Sequence, residues 1–445
     1  MSTVRVVAII GFLALSVEVS ATRILSLNPQ GNPVGFGAQV LDVSGNGRYV
    51  VLQARALIPG APNAIQTYVY DLETDEVELI SVRPDGQASD TNVVSYDSPH
   101  SRVISSDGRY VLFRTAATDI TPTVETNGQQ QLYRRDRELG ITEIMSVAGD
   151  RVTAANQSVF EYTMDCSGQQ ILFRTPANNL TTEMLGGSFL HQADAPPASG
   201  VVTRKACSDD DGGFVACQDF SIGNGLIAFR ANSSGLTPTD PPGWDIFVAN
   251  VIAGNNILVT EDVGTIASTR QQGAPASACS GHRLAFTTNV NLLFNPDETF
   301  ERDLYVVDTV SGQKQRFGFP NTAGESLVNS TNRFVTISDG GQLIGFQTDI
   351  NIDPRDTNSA TSDSYFIEFN RSFSSYTIHY VGHWNDVPSD RKSLLPHLGD
   401  NGIAAFMSDS TDAQWPQTNG WRHAFANLPP NDFSVIFQAN FQQQP

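Results

Sequence analysis

A short apolar run behind a tight-turn signal returns seven times along this chain. Its last large apolar residue is Leu52, Phe113, Phe173, Phe229, Phe286, Phe346 and Phe406 in turn, as in "SSDGRYVLFRTAATDI" at residues 105 to 120. The steps between these residues are 61, 60, 56, 57, 60 and 60. A period this regular means a repeat architecture, in which each unit buries its apolar faces against its neighbours.

Each unit has the same grammar. A strand leads into a Ser/Asp/Asn/Gly turn such as Asp107-Gly108, Asp339-Gly340 or Asn401-Gly402. Such dipeptides favour the positive φ angles of two-residue hairpins. A nearly continuous apolar strand follows, which implies cover on both faces. The third strand carries an aromatic with an acid or a relative three residues on: Tyr68 and Asp71, Tyr133 and Asp136, Phe247 and Asn250, Tyr305 and Asp308, Tyr365 and Glu368. His191 and Asp194 are the degenerate copy. A second turn leads to a fourth strand such as "VELISV" or "TEIMSV". Four antiparallel strands, seven times over, predict an all-β, seven-bladed β-propeller. The repeats fall near residues 37–83, 100–148, 160–206, 216–261, 276–318, 333–381 and 395–438.

The stretch "ISSDGRYVLFRTAATDI…ETNGQQQLYRRD…ITEIMSV" resembles the TolB-type propeller repeat, a relative of the WD repeat. The resemblance spans residues 22–445 and implies the propeller fold. It does not extend to the α/β domain of TolB itself, so the Tol-system role is not carried over. On the resemblance alone, a structural or envelope-assembly role is one alternative.

The first residues, "MSTVRVVAIIGFLALSVEVSATR", place Arg5 before an apolar run and small residues before position 21. This is the pattern of a secretory signal peptide over residues 1–21. The expectation is a secreted or periplasmic protein with no stable membrane insertion after cleavage. Acids outnumber bases 47 to 27, a net charge of −20, which argues against a nucleic acid partner. The four cysteines suit an exported chain. Cys207 and Cys217 are expected to pair and staple the acidic turn between them, whereas Cys166 and Cys279 sit in non-neighbouring units and are expected not to meet.

Two segments compete to close the ring: "RILSLNPQG" at residues 23–31, which matches the fourth-strand pattern, and "FSVIFQA" at 433–439. The N-terminal segment is the favoured one, because neither end of the chain should leave an edge unpaired. The long connections, second to third strand and blade to blade, all fall on one face. Binding sites on rigid scaffolds concentrate on such loops.

Trp384 and Trp415 lie in long loops of that face, with His383 and Arg391 nearby. These four are the expected contacts for a protein or glycan partner, since large aromatics stack on sugars and anchor interfaces. Packing that pins a long loop is the competing reading of both tryptophans; Trp244 and Trp421 read as structural. "TDINIDPRDTNSATSD" offers oxygen ligands, Asp353, Asp356 and Asp363 among them, as a calcium site. Asp363 also matches Asp245 and Asp303 of other units, which points to a repeated structural hydrogen bond instead. His379, His383 and His397 are read as loop and surface histidines, since four strand positions span about 13 Å.

No catalytic residue is assigned. There is no Gly-x-Ser-x-Gly elbow, phosphate loop or dinucleotide fingerprint. The leading expectation is an exported binding module without enzyme activity. The alternative is a cation-dependent propeller polysaccharide lyase or hydrolase.

Overall fold

The computed structural model describes residues 22–435 apart from several stretches, of which the longest are 95–100, 195–202, 208–214, 262–271, 294–301, 318–334, 353–361, 411–422 and 428–433. The proposed signal peptide lies outside the described residues. Seven antiparallel sheets form the seven blades of a propeller. In blade 1 the strands are Ala38–Val43, Tyr49–Arg55, Ile65–Asp71 and Val77–Leu79, paired in chain order. The second strands of the other blades are Tyr110–Thr115, Gln170–Thr175, Leu226–Ala231, Arg283–Thr288, Leu343–Thr348 and Ala404–Ser408. In blade 2 the first strand is reduced to a bridge between Ile104 and Val111.

The continuous apolar runs are buried on both faces, as their lack of alternation requires. Val111, Leu112 and Phe113 are all fully buried. In six blades the last aromatic of the second strand stacks on an aromatic of the third, from Phe113 on Tyr133 at 5.5 Å to Phe286 on Tyr305 at 6.3 Å. Blade 1 sets Leu52 opposite Tyr68. The acid three residues after that aromatic has two structural tasks. Asp71 and Asp136 accept two-pronged bonds from Arg48 and Arg109, and their carboxylates also cap the following turn at the amides of Glu73 and Glu138. The arginines hold both carboxyl groups below the usual carboxylate range against the opposing effect of burial.

The N-terminal strand closes the ring. Thr22–Ile24 pairs with His423–Asn427 as the outer strand of blade 7. The competing C-terminal segment goes elsewhere: Ser434–Val435 pairs with Tyr376–Tyr380 as a fifth strand on blade 6. Both placements cover a sheet edge that would otherwise offer unpaired backbone groups.

A hydrogen bond between the third strand and the segment after the fourth recurs from blade to blade. Ser81, Ser146 and Thr260 each donate to a side-chain oxygen at the start of the third strand (Gln66, Gln131, Asp245) and accept the next residue's amide. In blade 7, Ser26 pairs with His423 and accepts the Ala424 amide. In blade 6 the equivalent residue is Gly382, which has no hydroxyl. There Ser393, from the next blade, donates to Asp363 and takes the Ser364 amide. A Cβ on Gly382 would sit 2.3 Å from the Ser393 hydroxyl, so only glycine admits the substitute.

Candidate functional site

The two faces of the disc are built differently. On the turn face, the first-to-second-strand turns meet around the axis in a chain of hydrogen bonds. Asn46 donates to the Ser106 carbonyl at 3.0 Å, Ser106 to Cys166 at 2.8 Å, Cys279 to Asp339 at 2.9 Å and Asp400 to Gly45 at 2.9 Å. Gly340 donates to the Asp400 carboxylate at 2.7 Å. Most of these turns are longer than the two-residue hairpins their dipeptides predict. Ser105 closes onto Tyr110, with the Ser105 hydroxyl on Asp107 and Gly108 at φ +82°. A Cβ on Gly108 would also strike the Tyr49 ring at 2.1 Å. Only blade 4 has a two-residue turn among the described residues, Asn224-Gly225, with both φ angles positive.

That short turn corrects the expectation for Cys166 and Cys279. The two cysteines form a disulfide, with Cα atoms 5.6 Å apart, linking blades 3 and 5 past blade 4. Blades that are not neighbours round the rim still converge at the axis, where the inner turns meet. The Asp339 carboxylate lies close to both sulfurs, a grouping with metal-ligand spacing, but the sulfurs are bonded to each other. The Cys207–Cys217 disulfide forms as expected.

Beneath the turns an axial pocket is lined from all seven blades, by residues including Asp42, Ser101, Thr163, Ser221, Thr336 and His397. Arg102 crosses it, donating to Asp339 at 2.8 Å and to the Ile222 and Ser277 carbonyls. Asp42 accepts the Val103 and Ile104 amides of the next blade and lies 3.7 Å from His397. His397 is therefore a buried axial residue and not the loop or surface histidine expected. His379 stays at the periphery, bonded to Glu368 at 2.9 Å. His191 is buried in blade 3, donating from Nδ1 to Thr203, whose own hydroxyl goes to the Val147 carbonyl. Burial, aided by Arg151 and Arg134, brings its pKa down to about 3, so it is neutral near pH 7.

The opposite face carries the long connections. Of the residues expected to bind there, Trp415 and Arg391 lie outside the described residues. His383 and Trp384 form a two-residue strand paired with Val387–Pro388. Asp353 and Asp356 lie outside the described residues. Asp363 is fully buried, accepting from Ser393 and from the Tyr380 hydroxyl at 3.3 Å.

Among the described residues, a charged group on this face sits where blades 3 and 4 meet, and no motif in the sequence marks it. Glu161 opens the first strand of blade 3, opposite Arg174 at the end of the second. Glu161 is 1% exposed; its Oε1 accepts the Phe220 amide of blade 4 at 3.0 Å, and its Oε2 has no hydrogen-bond partner among the described residues. Arg174 Nη1 lies 4.0 Å from that oxygen and donates to Gln218 at 3.2 Å. Asp219 occupies a bulge at φ +50° and pairs with Arg230, whose guanidinium lies over the Trp244 ring. Desolvation, then the nearby Asp219 charge, push the Glu161 carboxyl up to about 8, so it is protonated near neutrality. A sequence signal existed: an arginine follows the phenylalanine in three consecutive blades, at Arg114, Arg174 and Arg230.

Comparison with known proteins adds the fold and nothing finer. No protein-family profile matches the chain, and no curated protein sequence does. An oligogalacturonate lyase solved in complex with manganese is 11% identical, covering 88% of this chain and 90% of its own, with a TM-score of 0.50. The β-propeller domain of the Trilobed protease from Pyrococcus furiosus is 11% identical over 92% of this chain and 97% of its own, at 0.48. A putative TolB from Agrobacterium tumefaciens is 14% identical over 68% and 87%, at 0.38. The chain is a seven-bladed β-propeller, similar in fold to these proteins.

Proposed function

We propose that this protein is an exported binding module that takes a protein or glycan partner on its long-loop face, through Trp384, Trp415, His383 and Arg391. One observation carries the reading. The turn face is consumed by backbone hydrogen bonds, the Arg102–Asp339 pair and the Cys166–Cys279 bridge, which leaves the other face for ligands. Two disulfides and the leader-like first residues support export. The Ser-Ser-Asp-Gly turn at residues 105–108, its Ser/Asp/Asn/Gly relatives in other blades and the acid after the third-strand aromatic support a TolB-type assignment of the repeat. The test is a glycan array and a partner pull-down with the mature protein and with a Trp384→Ala, Trp415→Ala double variant. Retention by the wild type and at least tenfold loss in the double variant is the expected result; equal retention by both overturns the contacts.

The second reading is a cation-dependent polysaccharide lyase or hydrolase. The Glu161 carboxyl, held at about 8 beside Asp219, favours it, because a general acid or base works best with a pKa near the operating pH. A thermal melt with calcium and with a chelator, followed by assay of uronate polysaccharides, decides. A calcium-dependent melting shift with chain cleavage supports the enzyme; no shift and no cleavage removes it.

A further inference from the structure

We propose that Arg174 anchors a carboxylate-binding site at the junction of blades 3 and 4, with Phe160 beside it as an apolar platform for the rest of the ligand. The proposal rests on the reading of the long-loop face as the binding face, and names a chemistry for one part of it.

One position, the arginine after the second-strand phenylalanine, is used differently in three consecutive blades. Arg114 in blade 2 is 7% exposed and donates to the Val159 and Phe160 carbonyls of the next blade. Arg230 in blade 4 donates to the Gln272 carbonyl of the next blade, pairs with Asp219 and covers Trp244. Both guanidinium groups are used in joining blades. Arg174 is 39% exposed along its side chain, and its hydrogen bond among the described residues goes to a glutamine side chain. Its neighbouring acid, Glu161, is protonated near neutrality and so carries no charge to offset it. Among the described residues, the charged groups around Arg174 are Glu161 on its own blade, Asp219 and Arg230 on blade 4, and Arg114 on blade 2. With Asp219 matched to Arg230 and Glu161 neutral, Arg174 is left without an ionised partner among the described residues.

The fork of an arginine suits a carboxylate held by two parallel bonds. Phe160 is 51% exposed, and its amide donates to the Arg174 backbone carbonyl at 2.9 Å, which ties the backbones of the two residues together. An exposed aromatic there suits a sugar ring or an apolar side chain. Glu161 acts on this site as a positioning residue. While neutral it leaves Arg174 to the ligand; once ionised it competes from 4.0 Å away.

Two sources share this chemistry, an acidic sugar and the free C-terminus of a peptide. Isothermal titration of the mature protein separates them with glucuronate against glucose, and N-acetyl-Phe-Ala as the acid against its amide. One acid should bind at least tenfold tighter than its neutral counterpart, and Arg174→Gln should remove that preference. Arg174→Lys keeps the charge without the fork and should recover only part of it. From pH 6.5 to pH 9 the neutral fraction of a group titrating near 8 falls to about one tenth, so the wild type should lose affinity about tenfold while Glu161→Gln does not. No acid preference, or an unchanged preference in Arg174→Gln, overturns the site; a wild type that binds equally at both pH values overturns the role of Glu161. If the tryptophan double variant loses its array ligand while Arg174→Gln retains it, this site falls and the wider reading stands.

Discussion

The turn face and the junction of blades 3 and 4 use similar residues to opposite ends. At the turn face the charged groups are matched: Asp339 takes Arg102 and Ser106, and Asp42 takes two amides of the next blade. The Ser101, Ser221 and Ser277 hydroxyls lining the axial pocket have no hydrogen-bond partner among the described residues. At the junction a buried acid keeps one oxygen without a hydrogen bond among the described residues, a residue holds a left-handed backbone angle within a bulge, and an arginine stays partly exposed. Buried polar groups left incompletely paired cost stability, so they persist where something else favours them. The difference in how the charged groups are paired is what supports the proposed reading of the long-loop face as the place to look for a ligand.

The largest effects should come from breaking the structural face. Replacing Cys166 and Cys279 together by serine releases a loop of 113 residues and should cost about 5 kcal/mol in the chain-entropy account; the ten-residue Cys207–Cys217 loop should cost about 3. Chemical denaturation of the two double variants ranks them, and the reverse order would contradict the account of the axial bridge. Gly108→Ala combines a left-handed backbone with a collision against Tyr49 and should cost about 2 kcal/mol or more by the same measurement. Ser146→Ala strips the latch from Gln131 and from the Leu132 amide, for about 2 kcal/mol.

The smallest effect sharpens the comparison from the other side. Glu161 titrates higher in the folded chain than in the unfolded one, so its contribution is complete below pH 4.5 and is lost as pH rises to about 8. His191 titrates lower when folded, so its contribution is complete above pH 6.5 and is lost as pH falls to about 3. Glu161→Gln should therefore flatten the decline of melting temperature between pH 6.5 and 8 and leave the limb below pH 4.5 unchanged. An unchanged alkaline limb would show that Glu161 is ionised throughout.

The fold was legible because the repeat imposes it. Spacing located the second strands, and the acid after Tyr68 or Tyr133 marked a turn whose ion pair the structure then supplied. The Asp363 equivalence to Asp245 pointed correctly at a repeated hydrogen bond, although its serine donor comes from the next blade. Distance along the chain misled for Cys166 and Cys279, because separation by a blade at the rim vanishes at the axis. It misled for His397 too, whose place in a bulged first strand was not visible in the residues around it. Arg174 and Glu161 were overlooked because neither belongs to a motif. They are notable only beside Arg114 and Arg230, once the blades are superposed in register.

Hydrogen exchange tests the two-face account most directly, measured with and without the tightest ligand from the array or the carboxylate series. Slowed exchange should fall on the long-loop face, around residues 156–161, 174–178, 218–220 and 383–384, with the turns at 44–49, 105–110, 165–170 and 338–343 unchanged. Protection confined to those turns would place the ligand on the face assigned here to structure, and would contradict the account.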